Sequence, residues 1–131
     1  MQPVRPRPTS PHATVYRPAL AMAASFVHRL TGLALSVVGV LVLTWYLWSV
    51  ASGPQAFDAF ASFAGSWFGK FVLIGLTWSL IQHTASGIRH LAMDLGFGFA
   101  VPTARVTALS TFLFAAALTG LIWVYLLFFW H

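Results

Sequence analysis

Residues 83–94, His-Thr-Ala-Ser-Gly-Ile-Arg-His-Leu-Ala-Met-Asp, place two histidines, an arginine and an aspartate at the end of a long apolar run. On a helix, His83 and His90 are seven residues apart and share a face, with Ser86 and Gly87 between them. Gly75, Ser79 and Gln82 extend the same stripe backwards. A small, polar edge on an otherwise apolar helix faces protein or a cofactor rather than lipid. A histidine six residues, or about 9 Å, deeper than Arg89 needs a partner. It can bond a neighbouring helix, relay protons, or ligate a metal or haem. Gly87, one turn away, lets a flat ring approach the helix, which favours haem.

His83 and His90 point the same way about 10 Å apart along one helix, so they cannot flank a single iron. His28, beside Arg29 near the end of another helix, reads as too shallow to meet His83. A second axial ligand is therefore expected from another chain. Three helices are also few for enclosing a haem, which points to a hetero-oligomer. Ser25, His28, Arg29, Gly32, Ser36 and Gly39 recur at helical spacing and form a second polar, small-residue edge. Its Ser25 hydroxyl and Arg29 guanidinium suit a carbonyl oxygen or a carboxylate, such as a quinone head group or haem propionates. Arg29 and Arg89, with His28 and His90 beside them, read as four groups gathered at one depth. Asp94 offsets Arg89 or a basic partner, and no catalytic role is assigned to it.

The elements that must position these groups follow from composition. Of 131 residues, 59% are hydrophobic and 7% charged. Three uncharged runs, 30–50, 71–88 and 106–130, are each near the length of helix that spans a bilayer core. None alternates with period two, so the fold class is an all-α membrane protein with three transmembrane helices, at about 22–50, 67–95 and 105–130. A proline-rich arm over 1–20 precedes one transmembrane domain over 21–131. The arm reads as extended on the inner face. Residues 51–69 begin with a Ser-Gly-Pro turn, and Phe57, Phe60, Phe63 and Phe68 suggest a short interfacial segment. Gly96-Phe97-Gly98 is expected to end the second helix, and Pro102 to help stop anything helical continuing through the loop.

The net charge of +5 marks topology rather than nucleic acid. Arg5, Arg7, Arg17, Arg29, Arg89 and Arg105 fall on one side of the spans and Lys70 alone on the other, which places the N-terminus inside and the C-terminus outside. Without cysteine the chain can hold neither an iron–sulfur cluster nor a thiolate-bound haem, so a metal held here depends on histidine. The N-terminal region resembles neither a cleaved signal peptide nor a transit peptide, which suggests the bacterial inner (cytoplasmic) membrane over the mitochondrial one.

Three blocks together resemble the cytochrome b membrane-anchor family of succinate dehydrogenase. They are residues 7–18 (Arg-Pro-Thr-Ser-Pro-His-Ala-Thr-Val-Tyr-Arg-Pro), 25–32 (Ser-Phe-Val-His-Arg-Leu-Thr-Gly) and 83–94. The third span matches only as a hydrophobic segment. The resemblance implies a four-subunit complex in which a flavoprotein subunit oxidises succinate and an iron–sulfur subunit passes electrons to ubiquinone at the anchor. It implies one haem b shared with a second anchor subunit, with His83 as this chain's axial ligand and iron-binding residue. It also implies that Ser25 and Arg29 line the quinone site, and that His28, Arg29 and His90 lie near the haem or its propionates. The chain would then be a subunit of an enzyme without succinate chemistry of its own; 131 residues with two acids and three spans offer no flavin or dicarboxylate site. Fumarate reduction by the same architecture is compatible with these residues. The competing reading is a non-haem helical membrane protein using His83 and His90 for proton relay or helix packing. A diheme arrangement would crowd two haems on one helix.

Overall fold

The computed structural model describes residues 19–129, so most of the proline-rich arm and the last two residues lie outside the described part. All secondary structure among the described residues is helical. Helix α1 spans Leu20–Ser52, α2 Pro54–Gly65, α3 Trp67–Asp94 and α4 Val101–Phe128. Of these, α1, α3 and α4 are long and apolar enough to cross a membrane.

Helix α3 is the central element and packs against both α1 and α4. Very little of the bundle is buried apolar side chain: among the described residues only Ala24, Phe60, Ala108 and Ala115 qualify, and the other buried positions are polar or glycine. Large apolar residues such as Leu41, Phe71, Ile88 and Leu121 point outwards instead. Small residues inside and large ones outside are what helices need when the surrounding medium is as apolar as leucine and association depends on close backbone approach.

The packing of α1 on α3 has a constant antiparallel register. A Cβ added at Gly32 would meet the His83 ring, one at Gly39 would touch Leu76, and one at Gly87 would touch the His28 ring. Just beyond Gly32, α1 widens into a π-helical turn over Leu35–Gly39, a local defect that shifts the faces on either side of it. On the α4 side, Ser79, Gln82, Ser86 and Arg89 form the buried row of α3, and Ala108, Thr111, Ala115 and Thr119 form that of α4. Hydrogen bonds cross this interface from Gln82 Nε2 to Thr111 Oγ1 (3.4 Å) and from Trp123 Nε1 to Thr77 Oγ1 (3.3 Å). The stripe expected on α3 is thus two adjacent rows, one against α4 and one, carrying His83, Gly87 and His90, beside α1. Gly75 belongs to neither and is exposed.

Two boundaries differ from the sequence expectation. Residues 54–65 are a full helix, opened by Pro54, with Phe60 buried against Trp45 and Tyr46 and the half-buried Phe63 touching Trp45. Helix α4 begins at Val101 with Pro102 in its first turn, so this proline starts a helix rather than holding one off. Amide hydrogens of a first turn have no intrahelical acceptor, and a proline there forfeits nothing. The preceding stop is set by Gly96 at φ 92°. Phe97 N–H bonds Ala92 O (3.0 Å) and Gly96 N–H bonds Met93 O (2.8 Å), closing the end of α3 in a left-handed cap that favours glycine.

Candidate functional site

Three of the five histidines converge where α1 and α3 meet. The rings of His28 and His83 stack with centroids 4.0 Å apart and planes 8° from parallel. His90 meets the His28 ring edge-on at 4.9 Å. The expectation that His28 is too shallow to reach His83 is therefore corrected. It assumed that Arg29 and Arg89 mark the same depth. The helix register instead sets Gly32 beside His83 and His28 beside Gly87, which places Arg29 level with Ser86, about 4.5 Å past Arg89 along the axis. The flat ring next to Gly87 is that of His28.

The orientation of His83 is set by α1. Its Nδ1 lies 2.9 Å from the carbonyl oxygen of His28 and 3.3 Å from Thr31 Oγ1. A carbonyl oxygen only accepts, so Nδ1 carries the proton and donates it. The other ring nitrogen, Nε2, makes no hydrogen bond among the described residues. Gly32 makes this placement possible: a Cβ there would lie 2.8 Å from His83 Cε1. Beside the rings runs an open groove of about 480 Å³ lined by His28, His83, Thr84, Gly87, Ile88, His90 and Leu91. The buried Nδ1 of His28 has no hydrogen-bond partner among the described residues.

The remaining site residues divide. Ser25 is half-buried and Arg29 exposed, one turn apart on α1, and neither bonds a described residue. Arg89, only 8% exposed, turns away from the histidines: Nε donates to Thr107 Oγ1 (3.1 Å) and Nη2 to Ala104 O (3.4 Å). The four groups expected at one depth are thus separated. Arg89 ties α3 to α4, while Asp94 is exposed and forms no ion pair with it. Sequence reasoning passed over Thr31 and Thr107. The available signal for Thr31 was a hydroxyl three residues beyond His28 on an apolar helix; for Thr107, a hydroxyl on the span that follows a buried arginine.

These features define a small polytopic helical membrane protein with a histidine cluster near one end of its bundle, beside an open groove. A family model described as "Succinate dehydrogenase/Fumarate reductase transmembrane subunit" matches residues 3–122, and the chain belongs to that family. It is 36% identical over 118 residues to the succinate dehydrogenase cytochrome b556 subunit of Rickettsia prowazekii (strain Madrid E), covering 90% of this chain and 91% of that one. It is 40% identical over 99 residues to the b556 subunit of Paracoccus denitrificans, covering 76% of this chain and 75% of that one. The mitochondrial cytochrome b560 subunit of Mus musculus is 35% identical over 123 residues, with 87% of this chain and 68% of that one covered. These relatives are named as cytochrome b subunits of succinate dehydrogenase, and the family to which the chain belongs is one of transmembrane subunits.

The two glycines that face histidine rings differ in clearance, which yields a paired test. Gly32→Ala drives a methyl into His83 and is expected to destabilise the purified complex by about 1–3 kcal/mol, as overpacking does. Gly87→Ala places its Cβ 3.6 Å from His28 Cε1, an ordinary contact, and should leave the thermal transition in detergent nearly unchanged. Equal transitions for the two variants would show that α1 and α3 do not meet as described.

Proposed function

We propose that this chain is the haem b- and ubiquinone-binding membrane anchor of a succinate:quinone oxidoreductase, and that His83 Nε2 is its axial ligand. The single observation that carries the reading is the bond from His83 Nδ1–H to the His28 carbonyl oxygen at 2.9 Å. A metal-ligating histidine characteristically donates its other ring N–H to such an acceptor, which fixes the tautomer and raises the basicity of the ligating nitrogen. The donor set fits haem rather than a bare ion: among the described residues no group of three or more His, Cys, Asp or Glu could cage a metal. When bound, haem b supplies a one-electron carrier. The chain's own residues hold it from one side, and a second anchor subunit supplies the other ligand and closes the groove.

His28, held face to face with His83 and with its Nδ1 unsatisfied, is suited to donate a hydrogen bond to a propionate, with His90 at its edge. Ser25 and Arg29 are suited to bind the carbonyl oxygen of ubiquinone; Arg29 has no competing partner among the described residues. The iron–sulfur subunit would dock at this end and the flavoprotein subunit beyond it, with the N-terminus inside and the C-terminus outside a bacterial cytoplasmic membrane. Succinate chemistry resides in those partners. A direct proton relay through the histidines is less well supported, because their rings meet by face and edge rather than by nitrogen-to-nitrogen hydrogen bonds.

The optical spectrum of the purified complex tests the ligand. Wild type should show a b-type spectrum that is lost or clearly altered in His83→Tyr; an unchanged spectrum assigns the ligand elsewhere, and a wild-type complex without haem refutes the reading. For the quinone site, Ser25→Ala and Arg29→Ala should each lower ubiquinone reduction. For Arg29, losing a charge-assisted hydrogen bond of about 1.5–3 kcal/mol corresponds to roughly 10- to 100-fold in quinone affinity, and the neutral Ser25 bond to less. Electron transfer from succinate to a water-soluble dye should be retained. Equal loss of both activities would indicate failed assembly rather than a quinone contact.

A further inference from the structure

We propose that Thr31 is a positioning residue for the haem iron, acting through His83; this rests on the reading of His83 as the axial ligand. Thr31 is 2% exposed in a helix whose surface is mostly apolar. Its Oγ1 lies 2.9 Å from both Val27 O and His28 O and 3.3 Å from His83 Nδ1. The hydroxyl has one hydrogen and two carbonyls within reach. When the hydroxyl donates to Val27 O, it turns a lone pair towards Nδ1–H. His83 Nδ1–H is then shared between two acceptors, the His28 carbonyl and Thr31 Oγ1.

This arrangement has a consequence at the other nitrogen. Each acceptor drawing on Nδ1–H pushes electron density towards Nε2 and makes it a stronger donor to ferric iron, which lowers the reduction potential. Gly32, the next residue, leaves the ring room to lie flat against α1, so a dipeptide fixes both where the ring lies and how basic it is. Thr31 does not line the groove, so its effect on the ring comes through His83 rather than through direct contact with a ligand there.

The test compares the assembled wild-type complex with Thr31→Val, which keeps the side-chain shape and removes the hydroxyl, and Thr31→Ser, which keeps the hydroxyl. Thr31→Ala serves as a second hydroxyl-free variant should the valine complex fail to assemble. Redox titration of the haem absorption should give a higher midpoint potential in the hydroxyl-free variant, with a b-type spectrum retained and shifted ferric electron paramagnetic resonance g values. Thr31→Ser should return both to wild type. A haem-loaded, hydroxyl-free variant with the wild-type midpoint and g values overturns the proposal and leaves His83 as ligand intact. A His83→Tyr complex that keeps the full wild-type spectrum removes the underlying reading, and the proposal with it.

Discussion

The site depends on one close approach, the seating of the His83 ring against the backbone of α1 at Gly32. Three things follow from that contact. The ring reaches the His28 carbonyl, its Nδ1 proton is directed there, and His83 lines an open groove. A side chain at position 32 would hold the helices apart and remove all three. The same contact sets the antiparallel register of α1 on α3, and through it the stacking of His28 and the depth of Arg29. The site is therefore a product of helix packing as much as of residue type.

The bundle divides its polar residues by task. On the α4 side of α3, Gln82 and Arg89 are spent on Thr111, Thr107 and a backbone carbonyl. A buried guanidinium with hydrogen-bond acceptors on the neighbouring helix is a costly but geometrically definite tie in an apolar medium. On the α1 side the polar groups stay partly unsatisfied: His28 Nδ1 has no described partner, and Ser25 and Arg29 bond nothing described. The α4 side carries the cross-helix hydrogen bonds, although Gln82 Oε1, Ser86 Oγ and Thr119 Oγ1 there also lack a partner among the described residues.

Much of this was legible in the sequence because membrane constraints are strict. Three spans and the polar edges follow from length, charge and periodicity, and the family from three short blocks of residues. What could not be read was the relation between helices. Periodicity places Ser79, Gln82, Ser86 and His83 on one broad face, but only packing splits it into a row against α4 and a row against α1. Equal depth for Arg29 and Arg89 was a natural assumption from charge alone. It failed because Gly32, not the arginines, sets the register. Pro102 misled for a related reason: a proline's effect depends on whether it falls inside a helix or in its first turn, and the sequence marks the residue but not the turn.

The central claim is that His83 presents Nε2, and not Nδ1, to a haem in the groove beside His28. A high-resolution electron cryo-microscopy map of the complete complex tests it most directly. The account predicts porphyrin density in the groove lined by His28, Gly87 and His90, iron bonded to His83 Nε2, and His83 Nδ1 still against the His28 carbonyl. Iron bonded to Nδ1 or to His28, or a groove filled by a partner's side chains with no porphyrin, would contradict it.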